Sequence, residues 1–482
     1  MNIKDLQPAL VWEEFDAITK VPRPSKREEK IIAYLIEWAA KHKIECQRDQ
    51  IGNVVMRKAA TVGYESHPTV ILQSHIDMVC EKNSDVEFDF DNDPIRTRID
   101  GQWVKADGTT LGADCGIGMA AALAMLRDEK LEHPALEALF TVDEETGLTG
   151  AFNLGEGMLT GKYLINLDSE DEGEIFIGCA GGIDTVATFS CPREATPSQH
   201  KALRIDVAGL LGGHSGDDID KGHANSNKIL ARLIYETQES MGVRLSLFDG
   251  GNLRNAIPRE AYAVVALPAT NYDAFMKRAG EFAEQVKAEY AITEPNLKVS
   301  VDVAEMPATV LTCEAQQRLV GALIAVANGV LAMSQSVKGF VETSTNLASV
   351  KMGEGDKIIV TTSQRSSVES AKIYAMQQVE AAFILAGGEV EHSDGYPGWA
   401  PNPNSLLLTH TVESYRKLFG KEPVVRAIHA GLECGLFLEK YPDLEMVSFG
   451  PTIRGVHSPD ERLEIATVDK FWLLLCDVVK SM

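Results

Sequence analysis

Three short apolar runs, each ending in charged residues, constrain the fold of this chain more than any other feature. They are PTVILQSHIDMV (68–79), LEALFTVDEETG (136–147) and KYLINLDSED (162–171). Short runs of aliphatic and β-branched residues are typical of strands that are buried on both faces. Between the first two, the spacing of apolar residues at 116–128 predicts a helix. Strands separated by helices predict an α/β fold with a mostly parallel sheet.

A further helix is predicted at 25–43, where apolar residues recur at helical spacing. Ser25 followed three residues later by Glu28 matches the capping box that often begins a helix. We therefore expect these two side chains to bind the backbone at the start of that helix.

The middle of the chain differs in pattern from its two ends. A polar, proline-containing bridge follows residue 190, and the strands beyond it alternate between apolar and polar residues, as in antiparallel sheets with one solvated face. A cluster of Pro, Gly and Asn marks a second linker before residue 406. We expect one domain in two segments, 1–188 and 398–482, and an inserted α+β domain at 189–397 with two subdomains.

The charge of the chain excludes several classes of partner. It has 46 Lys and Arg against 70 Asp and Glu, a formal net charge of −24. Such a surface repels nucleic-acid phosphates and anionic lipid headgroups. The first residues lack the pattern of a signal peptide, and no run has the length of a membrane span. We expect a cytoplasmic protein with no nucleic-acid or membrane partner.

His75 and Asp77 stand at the end of the first predicted strand. Because side chains alternate along a strand, both lie on one face, at the carboxyl end where α/β proteins bind ligands. A carboxylate beside a histidine fixes its tautomer, a common arrangement around zinc. The pair alone is equally consistent with a structural hydrogen bond.

Other acidic residues and a second histidine occupy similar positions. Asp114 lies in a Gly-rich turn before a helix, 143–145 and Asp168 follow the other two strands, and His457 lies in a loop rich in Gly and Pro. A helix N-cap for Asp114 and a solvated turn at 143–145 are the structural alternatives. Two histidines and three carboxylates suffice for two zinc ions that share one carboxylate. The residues alone do not decide which of the adjacent glutamates would bind metal.

Motifs spread along the chain carry a family resemblance. In chain order they are SHIDMV, GTTLGADCGIGMA, DEETGLTGA, LDSEDEGEI, GCAGGID, GGHSG, LRNAIPRE, AGLECGLF and GPTIRGVHSPDE. Together they resemble the bacterial aminoacyl-histidine dipeptidases, which are cytosolic di-zinc metallopeptidases also called carnosinases. The resemblance covers nearly the whole chain. It implies an α/β, mostly parallel-sheet catalytic domain with an inserted α+β lid domain.

The resemblance also implies a metal centre. His75 and Asp168 would hold one Zn²⁺, Glu145 and His457 would hold a second, and Asp114 would bridge the two. Co²⁺ or Mn²⁺ could substitute for Zn²⁺, because availability as well as ligand type decides which metal is bound. Cys115 follows Asp114 where an asparagine is common in the family.

Roles for six further residues follow from the same resemblance. Three are catalytic: Asp77 orients His75, Glu144 is the general base, and His214 in the lid stabilises the oxyanion. Three line the substrate pocket, where a bidentate arginine would grip the substrate carboxylate: Arg365, Asn255 and Gly431.

The implied activity is hydrolysis of Xaa-His dipeptides, including beta-alanyl-histidine, by a zinc-activated water in a homodimeric enzyme. One alternative is a related di-zinc amidohydrolase acting on other dipeptides, tripeptides or N-acyl amino acids. A second alternative, from a different class, is a binding module that keeps the fold without the activity.

Overall fold

The computed structural model describes residues 2–482, which divide into two compact units. The first unit contains the chain up to Gly178 together with Pro401–Ala427 and Glu433–Met482, and the second contains Cys179–Ala400 and Ile428–Leu432. No helix among the described residues combines the length and hydropathy needed to cross a lipid bilayer.

Helices and strands occur in both units. The strands, in chain order, are β1 (Glu45–Arg48), β2 (Val54–Lys58), β3 (Val70–His75), β4 (Thr97–Asp100), β5 (Trp103–Ala106), β6 (Leu136–Thr141), β7 (Tyr163–Asn166), β8 (Glu174–Cys179), β9 (Gly181–Ser190), β10 (Arg193–Ala195), β11 (His200–Ala208), β12 (Arg244–Gly250), β13 (Ala261–Pro268), β14 (Lys298–Val303), β15 (Thr309–Leu311), β16 (Gly329–Met333), β17 (Val341–Met352), β18 (Lys357–Ser366), β19 (Glu389–His392), β20 (Val424–Ile428), β21 (Glu445–Ser448), β22 (Ile453–Arg454) and β23 (Arg462–Glu464).

The α-helices are α1 (Ala9–Ile18), α2 (Glu29–His42), α3 (Ala113–Arg127), α4 (Glu144–Gly147), α5 (Thr149–Phe152), α6 (Ser226–Gln238), α7 (Tyr272–Glu289), α8 (Cys313–Ala325), α9 (Glu369–Leu385), α10 (Leu406–Phe419), α11 (Cys434–Lys440) and α12 (Ile465–Ser481), with two short 3₁₀ helices at Ile3–Asp5 and Ala269–Asn271.

The main sheet of the first unit has a parallel centre. Its strand order is β1-β2-β6-β3-β7-β21-β8-β20, and β6, β3, β7 and β21 run parallel to their neighbours in that central run. Antiparallel pairs flank them. Every residue of β3 is buried, as expected for a strand covered on both faces. The prediction of an α/β fold with a mostly parallel sheet is confirmed.

Helix α3 packs beside β3 and is buried along almost its whole length. Its small residues, mainly Ala and Gly, allow this close packing. The helix begins after Gly112, whose φ of +68° lies in the left-handed region that favours glycine. This start places Asp114 in the first turn, next to His75 at the carboxyl end of β3.

The capping-box prediction at the start of α2 is wrong. The helix begins at Glu29, and within residues 2–482 no side chain caps it. Ser25 Oγ instead donates a hydrogen bond to Asp77 Oδ2 at 2.8 Å. Glu28 Oε1 accepts the backbone N–H of Asp143 at 3.1 Å. The same oxygen accepts the backbone N–H of Lys26 at 2.7 Å, before the helix begins. Both side chains thus also bind loops that follow strands of the main sheet, and neither caps α2.

The second unit contains a large antiparallel sheet with helices packed on it and a small antiparallel sheet of β10 and β15. The order of the large sheet is β14-β11-β13-β12-β17-β18-β9-β19, and β16 pairs with β17. Buried residues of α6 to α9 and of the strands form one hydrophobic core, so the α+β character expected of the insert is confirmed. The sheet is continuous, because β17 pairs with both β12 and β18, and the division of the insert into two subdomains stays a prediction.

The second unit also begins earlier than residue 189. Strand β9 runs from Gly181 to Ser190 and pairs with β18 along its length. The polar bridge after residue 190 therefore lies inside this unit. The return of the chain at Ile428–Leu432 to the second unit has no counterpart in the sequence analysis.

Candidate metal centre

The five predicted metal ligands meet in the first unit. His75 is the last residue of β3, and Asp168 follows β7. Glu145 lies in α4, after β6, while Asp114 lies in the first turn of α3 and His457 in the loop between β22 and β23. Because β6, β3 and β7 are parallel neighbours, their carboxyl ends bring three of these residues to one edge of the sheet.

Asp114 lies between the two histidines. Its Oδ1 is 3.2 Å from Nε2 of His75, and its Oδ2 is 3.3 Å from Nε2 of His457. His75 Nε2 also lies 3.4 Å from Oδ1 of Asp168, and His457 Nε2 lies 3.0 Å from Oε2 of Glu145. The distances divide the residues into two groups, each with one histidine and one carboxylate, and Asp114 presents one oxygen to each group.

The side chains in this cluster shift one another's pKa. Burial alone would lower the pKa of His75, but nearby Asp168 and Asp114 outweigh it and raise the pKa well above its usual value. Hydrogen bonds to Asp114 and Glu145 raise the pKa of His457 to about 11. Burial raises the pKa of Asp168 to about 6. The raised pKa values of the two histidines show that carboxylates surround each imidazole. Such a concentration of negative charge attracts cations.

The donor set fits two divalent cations. One donor atom from each of Asp114, Glu145 and His457 lies within 4.8 Å of the others, and the same holds for His75, Cys115 and Asp168. Imidazole nitrogen and carboxylate oxygen suit Zn²⁺, Co²⁺ and Mn²⁺. His457 is the most accessible of the five ligands, with 51% of its side chain exposed, whereas His75 is 1% exposed.

Asp77 contacts both the histidine and the turn that carries the two glutamates. Its Oδ1 lies 3.3 Å from Nδ1 of His75 and accepts the backbone N–H of Glu144 at 3.1 Å. Its Oδ2 accepts the backbone N–H of Glu145 at 3.3 Å and the hydroxyl of Ser25. The carboxylate therefore contacts the imidazole of His75 and binds the first two backbone N–H groups of α4.

Glu144 lies close to the cluster without approaching His457 as Glu145 does. One of its oxygens lies within 4.8 Å of donor atoms of His75 and Glu145. Burial raises its pKa well above the usual range, and Asp168, Glu433 and Glu145 raise it further against the opposing effect of His75. A carboxylate with a raised pKa is suited to exchanging protons near neutral pH.

Three buried charged residues of this region were missed by the sequence analysis. Glu433 Oε2 accepts hydrogen bonds from Gln73 Nε2 at 2.6 Å and from Thr141 Oγ1 at 2.9 Å, beneath the ligands. Glu461 and Arg23 bind the backbone around Asp114. Glu433 and Glu461 lie inside the motifs AGLECGLF and GPTIRGVHSPDE, which is the one sequence signal that could have drawn attention to them.

The four predicted residues outside the metal cluster belong to the second unit. His214 forms a β-bridge with Ala256, and the backbone N–H of Ser215 donates to the carbonyl of Asn255 at 2.8 Å.

Arg365 and Gly431 both lie against Tyr396. Arg365 Nη1 donates to Tyr396 Oη at 2.9 Å. A Cβ on Gly431 would lie 2.8 Å from the ring of the same tyrosine.

His214 and Arg365 influence each other within this unit. Burial lowers the pKa of His214, and the positive charge of Arg365 lowers it further. His429, another residue that the sequence analysis missed, lies beside them: a Cβ on Gly216 would sit 2.0 Å from its carbonyl oxygen and 3.1 Å from Cε1 of His214. Burial lowers the pKa of His429 to about 3. The unit therefore places an arginine near two imidazoles whose lowered pKa values favour the neutral form.

Comparisons with known proteins show which family this chain belongs to. A family model described as "Peptidase family M20/M25/M40" matches residues 71–481. The cytosol non-specific dipeptidase of Escherichia coli K12 is 43% identical over 481 residues, which span 100% of this chain and 99% of that protein. The crystal structure of an aminoacylhistidine dipeptidase from Vibrio alginolyticus superposes with a TM-score of 0.96 at 44% identity, covering 100% of this chain and 98% of that one.

A more distant structure shares the fold alone. A tripeptidase from Staphylococcus aureus has a TM-score of 0.56 at 15% identity, covering 99% of this chain and 98% of that one.

Proposed function

The chain belongs to peptidase family M20/M25/M40, and on that premise we propose that it is a zinc-dependent dipeptidase that hydrolyses Xaa-His dipeptides, including beta-alanyl-histidine. The observation that carries the proposal is the position of Asp114, which presents one carboxylate oxygen to His75 and the other to His457. A shared carboxylate between two histidine-carboxylate groups is what a pair of metal ions requires.

The metal ions would be held by the two groups already described. His75 and Asp168 would bind one ion, Glu145 and His457 the other, and Asp114 both. When bound, two such ions lower the pKa of a water molecule and polarise the peptide carbonyl. We propose Zn²⁺ as the resident metal, with Co²⁺ or Mn²⁺ able to replace it.

Glu144 is the proposed general base. It would take a proton from the attacking water and return it to the nitrogen of the leaving amino acid. Its raised pKa and its backbone, held by Asp77, support this role, because a base needs both a suitable pKa and a fixed position. Asp77 itself would act through His75 and the α4 turn, as a positioning residue.

Residues of the second unit are proposed to act on the substrate. His214, kept neutral by burial and by Arg365, would donate a hydrogen bond to the oxygen that becomes negative during attack. Arg365 would bind the free carboxylate of the dipeptide, and Asn255 and Gly431 would line the same pocket. In this proposal the second unit serves as the lid domain that the sequence predicts at 189–397.

Whole-length similarity to two dipeptidases supports the substrate class. One relative is named for aminoacylhistidine substrates and the other as non-specific. The second candidate function is a related di-zinc amidohydrolase that acts on other dipeptides, tripeptides or N-acyl amino acids, and the name of the E. coli relative favours its first substrate class.

A substrate panel tests the substrate class directly. Metal-stripped protein, with and without added Zn²⁺, is mixed with beta-alanyl-histidine, other Xaa-His dipeptides, dipeptides without histidine, a tripeptide and an N-acetyl amino acid. Zinc-dependent cleavage that favours the histidine dipeptides supports the proposal. Equal rates on all dipeptides favour the broader candidate, and no cleavage of any compound by zinc-loaded protein refutes both.

We also propose that the protein works in the cytoplasm as a homodimer. The E. coli relative is named as a cytosol enzyme. Three apolar residues of strand β16, Val330, Leu331 and Met333, are exposed, and exposed apolar patches of this kind mark interaction surfaces. Sedimentation equilibrium of the purified protein tests the dimer, and a monomer at micromolar concentration contradicts it.

A further inference from the structure

Glu461 binds the backbone of the segment that carries the shared carboxylate. Its side chain is buried, with 2% of the residue exposed. Oε2 accepts the N–H groups of Leu111 at 2.7 Å and Gly112 at 2.9 Å, and Oε1 accepts those of Ala113 at 2.7 Å and Asp114 at 3.4 Å. The first N–H groups of a helix have no partner within the helix. Here one carboxylate binds those of Ala113 and Asp114 in α3 and the two N–H groups that precede the helix.

Arg23 binds the same segment through a backbone carbonyl, whereas Glu461 binds its N–H groups. Its guanidinium donates to the carbonyl oxygen of Gly112 through Nη2 and, through Nη1, to those of Ile76 at 3.0 Å and Asp77 at 2.7 Å. A Cβ at Gly112 or at Gly116 would lie within 2.6 Å of Nη2. The glycines around Asp114 therefore make room for this guanidinium.

The two side chains link the three segments that carry Asp114, His457 and His75. Glu461 is four residues after His457 and immediately precedes strand β23, which pairs with β5 upstream of α3. Arg23 binds the end of β3, where His75 lies. Gly112 is held from both sides, its N–H by Glu461 and its carbonyl by Arg23.

We infer that Glu461 and Arg23 are positioning residues that assemble the metal centre before any metal is bound. They hold the backbone of Asp114 in register with the loop of His457 and with the end of β3. This inference rests on the proposed metallopeptidase function, since it concerns how that centre is formed. Neither side chain would touch the metal or the substrate.

The need for such a device follows from the charges in the cluster. Asp114 lies close to Glu145 and to Asp168, and like charges at such distances repel one another strongly when little water separates them. The backbone of Asp114 is also not helical, with φ −82° and ψ 118°, so the hydrogen bonds of the α3 helix do not hold it in place. Backbone contacts from Glu461 and Arg23 oppose this repulsion without adding a further ligand.

Amide exchange in the wild-type protein gives the first test. Hydrogen–deuterium exchange of the peptide that spans 111–114 is measured in chelator and then with saturating Zn²⁺. If Glu461 assembles the segment in advance, these amides are protected in the metal-free protein nearly as well as in the zinc-loaded one. Exchange at the rate of an unstructured peptide in chelator would overturn the inference, and no variant needs to fold for this result.

Metal affinity of Glu461→Gln gives the second test. The amide offers one acceptor oxygen in place of two, so the N–H groups of one half of the segment lose their partner. Competition against a chromophoric chelator should show Zn²⁺ affinity reduced about 10- to 100-fold, the range typical of residues that support metal ligands. With excess Zn²⁺, kcat should return to within about twofold of wild type, because every proposed ligand and the base remain.

Controls separate positioning from a general effect on stability. Glu464→Gln, on strand β23, should leave Zn²⁺ affinity unchanged. Arg23→Lys keeps the charge but cannot reach three carbonyls, and it should weaken Zn²⁺ binding as Glu461→Gln does. Wild-type affinity in both Arg23→Lys and Glu461→Gln, with only a lower melting temperature, would show a purely structural role and overturn the inference. Failure of the wild-type protein to bind divalent metal at all would instead refute the proposed function.

Discussion

Asp77 Oδ1 accepts the backbone N–H of Glu144 at 3.1 Å, so a carboxylate expected only to orient a histidine also holds the turn of the proposed general base. The same oxygen lies 3.3 Å from Nδ1 of His75. A hydrogen bond to the backbone leaves the side chain of Glu144 free to exchange a proton. One buried carboxylate thus contacts both a proposed metal ligand and the turn of the proposed base.

Glu144→Gln should abolish most turnover and leave the metal content unchanged. Glutamine has nearly the same shape but cannot take a proton, and loss of a general base lowers kcat by about 10²- to 10⁴-fold. Steady-state kinetics together with metal analysis of the same sample checks this. Glu145→Gln is the matched comparison, since it should lose metal. Loss of metal from Glu144→Gln would reverse the roles proposed for the two glutamates.

Asp114→Asn should reduce the metal content to one ion per chain or fewer. The carboxylate presents one oxygen to His75 and the other to His457, whereas an amide has a single carbonyl oxygen and no charge. Elemental analysis after dialysis against dilute Zn²⁺ measures the stoichiometry. Asp171→Asn, at an exposed ion pair with Arg454, serves as the control and should keep the wild-type content. Two tightly held ions in Asp114→Asn would contradict the bridging role.

His214→Ala should lower kcat by about 10²- to 10³-fold, the cost typical of removing one donor to a developing oxyanion. The metal content should stay at the wild-type value, because His214 lies in the second unit and is not a proposed ligand. His200→Ala, on strand β11 of the same unit, should have full activity. A variant of His214 that loses metal would show that its role is ligation.

Arg365→Lys should weaken recognition of the substrate carboxylate. A lysine offers a point charge in place of a planar, bidentate donor, and a hydrogen bond between charged groups contributes about 1.5–3 kcal/mol. We expect kcat/KM for a free dipeptide to fall about 10- to 100-fold. The corresponding dipeptide amide lacks the carboxylate, so its already low kcat/KM should hardly change. An equal loss on both substrates would place Arg365 elsewhere in the mechanism.

The strand-based features of the fold could be predicted because they depend on local pattern. The run that contains β3 is largely apolar and ends at His75. Such a short apolar run is typical of a strand buried on both faces, which in turn predicts a sheet covered by helices. The start of α2 could not be predicted. Glu28 binds the nearby N–H of Lys26, but Ser25 and Glu28 also bind Asp77 and Asp143. Those partners are distant in sequence, and a local capping pattern contains no information about them.

The same distinction applies to the site. Each proposed ligand stands in a motif at the end of a strand or in a Gly-rich turn, so the residues themselves could be listed from the sequence. The buried residues that hold them could not: Arg23 acts on the carbonyls of Ile76, Asp77 and Gly112. Backbone carbonyls and N–H groups occur at every position, so only the fold shows which of them a charged side chain reaches.

Glu433→Gln should change how the stability of the metal-free protein depends on pH. Glu433 is fully buried, and burial raises its pKa from an ordinary 4.5 to about 8, with Asp168 adding to the shift. Among residues 2–482, its Oε1 has no hydrogen-bond partner. The folded protein therefore keeps this proton to higher pH than the unfolded chain does. The resulting stabilisation is complete below about pH 4.5 and is lost as the pH rises towards 8.

The glutamine side chain introduced by Glu433→Gln has no proton to lose, so the variant lacks this pH-dependent term. Between pH 5 and 8 the free energy of unfolding of the variant should rise relative to wild type, with a slope of at most about 1.4 kcal/mol per pH unit. Urea unfolding in chelator at one-unit steps of pH measures the difference. Glu439→Gln, at an exposed position of α11, should give a curve parallel to wild type. A parallel curve for Glu433→Gln as well would mean that Glu433 is ionised in the folded protein, with its charge balanced by the imidazolium of His75.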